Sequence, residues 1–190
     1  MDAEIGWGNG GGCRASIPAG DLTFNAIFSA FPFENQVYVV DVPGQDILDA
    51  LEMSAHATPQ EFGGFAQVSG LTYQIDTTIA SSVVKDSNDV FVKVAGKRRV
   101  SDVRVYNPTK GKYQKLSPRK HYQMATTSFI LMKGGDGLRF PHYQVIREYP
   151  NLDVDLIEDY IRHTLNGHID AQYAKPQERV VFKSKGKKGR

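Results

Sequence analysis

The chain is poor in several kinds of residue, and each shortage excludes something. It holds one cysteine, Cys13, in 190 residues. A lone thiol excludes an internal disulfide and any zinc site built from several cysteines, although it does not fix the compartment. No apolar run approaches the ~20 residues a membrane helix needs. The opening MDAEIGWGNGGG has no basic region followed by an apolar stretch, so no signal peptide is expected, and the chain reads as a piece of something longer. The five histidines (His56, His121, His142, His163, His168) show neither His-x-His nor His-Glu-x-x-His spacing. Gly167-His168-Ile169-Asp170 looks like a metal-binding phrase in miniature but lacks a partner cluster, and reads as the end of a surface helix. Cys13 beside Arg14 has no histidine near it in sequence, which favours a buried or inert thiol over a nucleophile. No internal repeat is present.

Charge of one sign is also scarce in the body of the chain. The formal net charge is +2, but the tail 184–190 carries Lys185, Lys187, Lys188 and Arg190 without an acid. Removing those four cations takes the charge from +2 to −2. The body is mildly acidic and nucleic acid is not the expected partner. The tail reads as a solvated, disordered end, or as a patch for an anionic surface.

What remains is a globular composition with 41% hydrophobic and 23% charged residues, enough to bury a core. Thr23 can cap a short helix with Phe24, Ile27, Phe28 and Phe31 as its apolar positions, ended by Pro32. QVYVVDV (36–42) is β-branched and reads as a strand. After a Pro43-Gly44 turn, 45–57 carries Ile47, Leu48, Leu51 and Ala55 at helical spacing, closed by Pro59. Residues 61–70 read as a loop feeding a strand with Leu71, Tyr73 and Ile75 alternating inward. Residues 77–89 read as a loop. Strands over 90–95 and 103–106 flank the basic GKRR (96–99), and 107–111 is a hairpin turn. HYQMATTSFI (121–130) reads as a strand running into LMKGGDG. Asp153 can cap a last helix with Leu156, Ile157, Tyr160, Ile161 and Leu165 inward, stopped at Gly167. ERVVFK (178–183) is a final strand. Two amphipathic helices among many strands imply an α+β or mixed-sheet domain. Phe24, Phe28, Phe91 and Phe182 are assigned to its core.

Two glycine runs carry the candidate chemistry. In NGGGCR (9–14), Gly10, Gly11 and Gly12 can expose backbone N–H groups, while Asn9 offers an amide and Arg14 a guanidinium fork suited to phosphate or carboxylate. No Gly-Lys-Ser/Thr follows, so it is no Walker loop; a plain glycine-rich turn is the alternative. In SFILMKGGDG (128–137), Asp136 can accept hydrogen bonds from sugar hydroxyls, or simply cap an Asx-turn. Phe31 and Phe33 flank Pro32, Phe62 and Phe65 flank Gly63-Gly64, and Phe129 precedes the second run. Two such rings can clamp a planar base, with core packing as the alternative for each.

Four segments in order, NGGGCR-ASIPAGDLTF, FPFENQVYVVDVPGQDILDALE, GGFAQVSGLTYQID and MATTSFILMKGGDG, resemble the C-terminal domain of the 5′-nucleotidase family, over nearly the whole chain. The wording is most similar to the secreted or wall-associated bacterial branch. The resemblance implies a mixed sheet with layered helices over residues 1–183 that binds a nucleoside monophosphate. It implies an N-terminal metallophosphoesterase domain in the same polypeptide, which holds two divalent metal ions and hydrolyses the nucleotide, and an extracellular, cell-wall-associated or periplasmic setting. This chain would hold no metal and no catalytic residue, and alone would be inactive. Residue by residue, Arg14 matches the family's phosphate-binding arginine and Asn9 the asparagine that helps hold the nucleoside. Gly10, Gly11 and Gly12 line the same loop. Phe129 matches one wall of the base clamp, Phe33 or Phe65 the other, and Asp136 the acceptor of the ribose hydroxyls. A UDP-sugar or cyclic-nucleotide substrate, or a binding module that has lost hydrolysis, fits the same residues. Three departures stand out. Cys13 replaces an isoleucine and Lys133 an asparagine, while Gly6-Trp7-Gly8 occupies a stretch where some members carry a further arginine.

Overall fold

The computed structural model describes residues 3–183; the expectation for the basic tail lies outside the described residues. Two sheets and one central helix build the domain. The larger sheet contains β1 (Ile5–Asn9), β2 (Gln36–Pro43), β3 (Ala66–Ser69), β9 (His121–Thr127) and β10 (Gln144–Leu152), in the order β10-β2-β9-β1-β3. Its β1–β9 pair is parallel and its other pairs are antiparallel. The second sheet contains β4 (Leu71–Asp76), β7 (Val100–Asn107), β8 (Lys112–Lys115) and β11 (Val180–Lys183), in the order β11-β4-β7-β8, with β11 parallel to β4. β5 (Val83–Lys85) and β6 (Phe91–Val94) form a separate hairpin. This is the mixed-sheet α+β class that the sequence implied.

Helix α2 (Gly44–Ala55) packs between the sheets. Its Ile47, Ala50, Leu51 and Met53 join Ile5, Trp7, Val40 and Met124 from the larger sheet and Leu71, Tyr73, Ile75 and Val105 from the smaller in one core. A satellite core forms where α1 (Phe24–Ala30) meets α4 (Asp153–Asp159), around Ile27, Val154 and Ile161. The Thr23 hydroxyl accepts the Ala26 N–H at 3.3 Å, so α1 is capped as expected. Past α4 the chain continues in a π-helical turn, Tyr160–Thr164, and Gly167, at φ +76°, closes it by donating its N–H to Ile161 O at 2.8 Å.

Several expectations are corrected. Residues 5–9 form a strand within the larger sheet, and 144–152 form its edge strand; neither was foreseen. β5 lies within the expected loop 77–89. The strand at 121 ends at Thr127, and Ser128–Leu131 is a helical turn, α3, which carries Phe129. Asp153 is the first residue of α4 and not its cap; Asp155 accepts the Leu152 N–H at 3.1 Å instead. Tyr160, expected inward, is 47% exposed, and Val154 takes the buried position. Phe91 is buried and Phe28 packs on the satellite core, but Phe24 and Phe182 are 46% and 53% exposed. Cys13 is exposed, not buried.

Candidate functional site

Strand β1 delivers Asn9 to the edge of a glycine-rich junction. There Gly10–Gly12 make a single 3-10 turn. The Gly10 N–H donates to Phe65 O and the Gly11 N–H to Gly63 O, both at 2.8 Å. Two N–H groups that the sequence offered as an anion cradle are therefore engaged inside the protein. They tie the first glycine run to the 62–65 loop. The side chain beside this turn that can meet an anion is Arg14. Its backbone N–H is anchored on Ala30 O at 2.8 Å. Its exposed guanidinium makes one bond, Nη1 to Gly11 O at 3.4 Å, at the long limit of a hydrogen bond.

The second glycine run closes on the first. Asn9 Nδ2 donates to Asp136 Oδ2 at 3.0 Å and to Gly63 O at 3.3 Å, across 127 and 54 residues of sequence. Asp136 stands in the left-handed region, φ +57°, which presents its carboxylate to Asn9. The packing leaves no room for larger residues. A Cβ on Gly64 would lie 2.7 Å from Asp136 Cβ and 2.6 Å from the Phe62 ring, and one on Gly135 would strike the Phe129 ring. The carboxylate keeps its second oxygen for another donor, as a diol acceptor requires. Phe129 lies against Gly135 and the main core, partly buried.

Beside this junction opens a cleft of about 630 Å³, lined by Gly10, Gly11, Cys13, Arg14, residues 58–63, Phe65 and Phe182. Among the described residues its aromatic lining is Phe62, Phe65 and Phe182. Phe33 stands 53% exposed beyond the end of α1 and is not in this lining. The structure therefore joins Asn9, Gly10, Gly11, Arg14, Phe65 and Asp136 around one junction, with Phe129 behind Asp136 and Phe33 apart.

The wall formed by residues 58–63 is held from below by a device that the sequence reading missed. Arg99, 4% exposed, donates from Nη1 to Ala55 O and His56 O and from Nη2 to Thr58 O, each at 2.9 Å. These are carbonyls at the C-terminal end of α2 and just beyond it, where a cation also meets the negative end of the helix dipole. Fully buried Glu52 accepts the backbone N–H groups of Arg99 and Val100 at 2.6 and 3.0 Å. In the sequence Arg99 is one of four residues in a basic run, and nothing marks it as internal. His56 sets its ring edge-on to Phe62 at 4.6 Å. Burial pushes its pKa down, a hydrogen bond to Met53 O opposes this, and the charges of Lys85 and Arg99 add to the fall.

No group of three or more His, Cys, Asp or Glu side chains among the described residues is placed to hold a metal ion.

The model of the family described as "5′-nucleotidase, C-terminal domain" matches residues 1–144. The chain is 32% identical over 171 residues to an apyrase of Tabanus yao, covering 85% of this chain and 27% of that protein. It is 33% identical over 179 residues to a 5′-nucleotidase of Vibrio parahaemolyticus, covering 93% and 26%. Among solved structures, a 5′-nucleotidase precursor from Thermus thermophilus superposes with a TM-score of 0.75 at 28% identity, over 95% of this chain and 31% of that one. The NAD nucleotidase of Haemophilus influenzae shares the fold, with a TM-score of 0.69 at 19% identity, over 96% of this chain and 30% of that one. The chain thus spans about a quarter to a third of the length of these relatives. It belongs to the 5′-nucleotidase C-terminal domain family.

Proposed function

We propose, from that membership, that this chain is the part of a two-domain hydrolase that binds a nucleoside monophosphate and positions it for hydrolysis elsewhere in the polypeptide. The observation that carries the reading is the convergence of Asn9, Arg14 and Asp136, from two distant glycine runs, at one junction. Arg14 takes the phosphate through its fork, Asp136 accepts ribose hydroxyls, and Asn9 orients Asp136. Phe129 and either Phe33 or Phe65 receive the base. Gly10, Gly11 and Gly12 supply the tight turn that lets these groups meet.

The chain's share of catalysis is orientation, which contributes a large part of many enzymatic rate enhancements. On this reading the two divalent metal ions belong to a metallophosphoesterase domain N-terminal to this one, where they would activate the attacking water. The setting is extracellular, wall-associated or periplasmic. No helix among the described residues is long and apolar enough to cross a membrane.

Two experiments test the reading. The pure chain with AMP and manganese, zinc or cobalt is expected to release no phosphate; chelator-sensitive release would expose a catalytic site here. Phe129→Ala, Phe33→Ala and Phe65→Ala are then compared by melting temperature and AMP affinity. A ring that faces the base loses about ten- to a hundredfold in affinity at little cost in stability. A core ring instead costs about 3 to 5 kcal/mol of stability. If none of the three lowers affinity without unfolding, the clamp is absent.

A further inference from the structure

We propose that the cleft beside Arg14 is a second subsite, walled by Phe62, Phe65 and Phe182, for a flat uncharged ring carried on the phosphate of a bound nucleotide. It rests on the nucleotide reading above, with Phe33 and not Phe65 as the second wall of the base clamp, and adds a place for a ring carried on the phosphate. The starting observation is Phe182. The sequence pattern assigned it to the core, yet it is 53% exposed. Its ring lies 6.3 Å from that of Phe65, nearly parallel at 17°, and both line the cleft that holds Arg14.

The strand leaves Phe182 little freedom to fold away. β11 pairs in parallel with β4, Phe182 opposite Ile75. Arg179 Nη1 donates to Val68 O at 3.1 Å on one side of it, and the Thr77 N–H to Lys183 O at 3.0 Å on the other. A half-exposed aromatic surface on a fixed strand is stabilised when a ligand removes it from water. Phe182 lies outside residues 1–144, which the family model matches, whereas Phe62 and Phe65 lie inside them.

Position and charge specify the occupant. Gly63 both borders the Asn9–Asp136 pair and lines the cleft, and Arg14 lines the cleft as well. A phosphate on Arg14 with its nucleoside toward Asp136 leaves the aromatic side for whatever else the phosphate carries. Glu61 in the same lining disfavours a further anion there. A neutral planar group fits, because stacking on the ring faces needs no polar partner.

The test uses the 190-residue chain and three probes: AMP, its methyl phosphodiester and its phenyl phosphodiester. The two esters carry equal charge and differ in the ring. The phenyl ester is expected to bind about tenfold more tightly than the methyl ester, the range of one stacked ring. In Phe182→Ala, and in Phe182→Leu, which keeps apolar bulk, that difference is expected to vanish while AMP affinity and melting temperature hold. Equal binding of the two esters by the unmodified chain, or a difference that survives both substitutions, would overturn the second subsite. So would loss of AMP affinity itself in a folded Phe182 variant, because the ring would then wall the nucleotide site. Arg14→Ala separates the layers. AMP binding that depends on Arg14, with no preference between the esters, sinks this proposal and leaves the nucleotide reading standing. AMP binding that is absent or indifferent to Arg14 sinks both.

Discussion

Two arginines serve the cleft in opposite ways. Arg99 is buried and spends its guanidinium on three carbonyls at 2.9 Å, at the end of α2 and the start of the cleft wall. Arg14 is exposed, and its guanidinium holds a single long bond to Gly11 O. A buried cation whose two terminal nitrogens are held by protein carbonyls is part of the scaffold. A cation on an anchored backbone with most of its donors facing outward is available to a ligand. The same contrast runs through the carboxylates. Glu52 is fully buried and takes two backbone N–H groups, whereas Asp136 takes one amide and keeps an oxygen.

The sharpest way to break this comparison is Arg99→Ala. It leaves three carbonyls without their donor, so stability is expected to fall by about 1 to 3 kcal/mol for each carbonyl left buried without a partner. Chemical denaturation measures it; a loss comparable to that of a surface arginine would make Arg99 no scaffold residue. Gly135→Ala comes next. Its new methyl group would strike the Phe129 ring, and overpacking of this kind costs about 1 to 3 kcal/mol. Nucleotide affinity is expected to fall with it as Phe129 and Asp136 shift. An alanine variant with unchanged melting temperature would mean that the second glycine run is loose.

The smallest effect concerns His56. Burial lowers its pKa below the usual value near 6.5, so on acidification the unfolded chain takes up the proton first. Its contribution to stability is therefore complete above that value and lost as pH falls through the folded-state value. His56→Gln is expected to narrow the drop in melting temperature between neutral pH and about pH 5. An unaltered pH profile would show that the ring titrates like a free histidine.

The parts of the fold that were legible are those in which one pattern dominates a segment. Helical spacing gave α2, and alternation gave β4. β1 was hidden because Gly6 and Gly8 leave one of its faces without side chains, so its alternation cannot be seen. β10 was hidden because, as an edge strand, it buries almost nothing. Phe182 misled because hydrophobicity is a one-way guide: apolar side chains can stay at the surface. At the junction, residue chemistry alone left Asn9, Arg14 and Asp136 as alternatives to ordinary turns, and only the family resemblance joined them. The hydrogen bond between Asn9 and Asp136 is a product of tertiary packing across 127 residues, which no local pattern encodes. Arg99 was invisible for the same reason, since its partners lie 41 to 44 residues away.

The central claim is that Arg14 is the ligand's cation and not the protein's. Calorimetric titration of Arg14→Ala with AMP and with adenosine tests it directly. A charge-assisted bond to phosphate contributes about 1.5 to 3 kcal/mol, so AMP affinity is expected to fall about ten- to a hundredfold. Adenosine affinity and melting temperature are expected to stay where they were, and Arg14→Lys is expected to recover part of the AMP loss, because a point charge lacks the fork. Equal losses for AMP and adenosine, or a fall in melting temperature like that of Arg99→Ala, would contradict the account and make Arg14 a second scaffold residue.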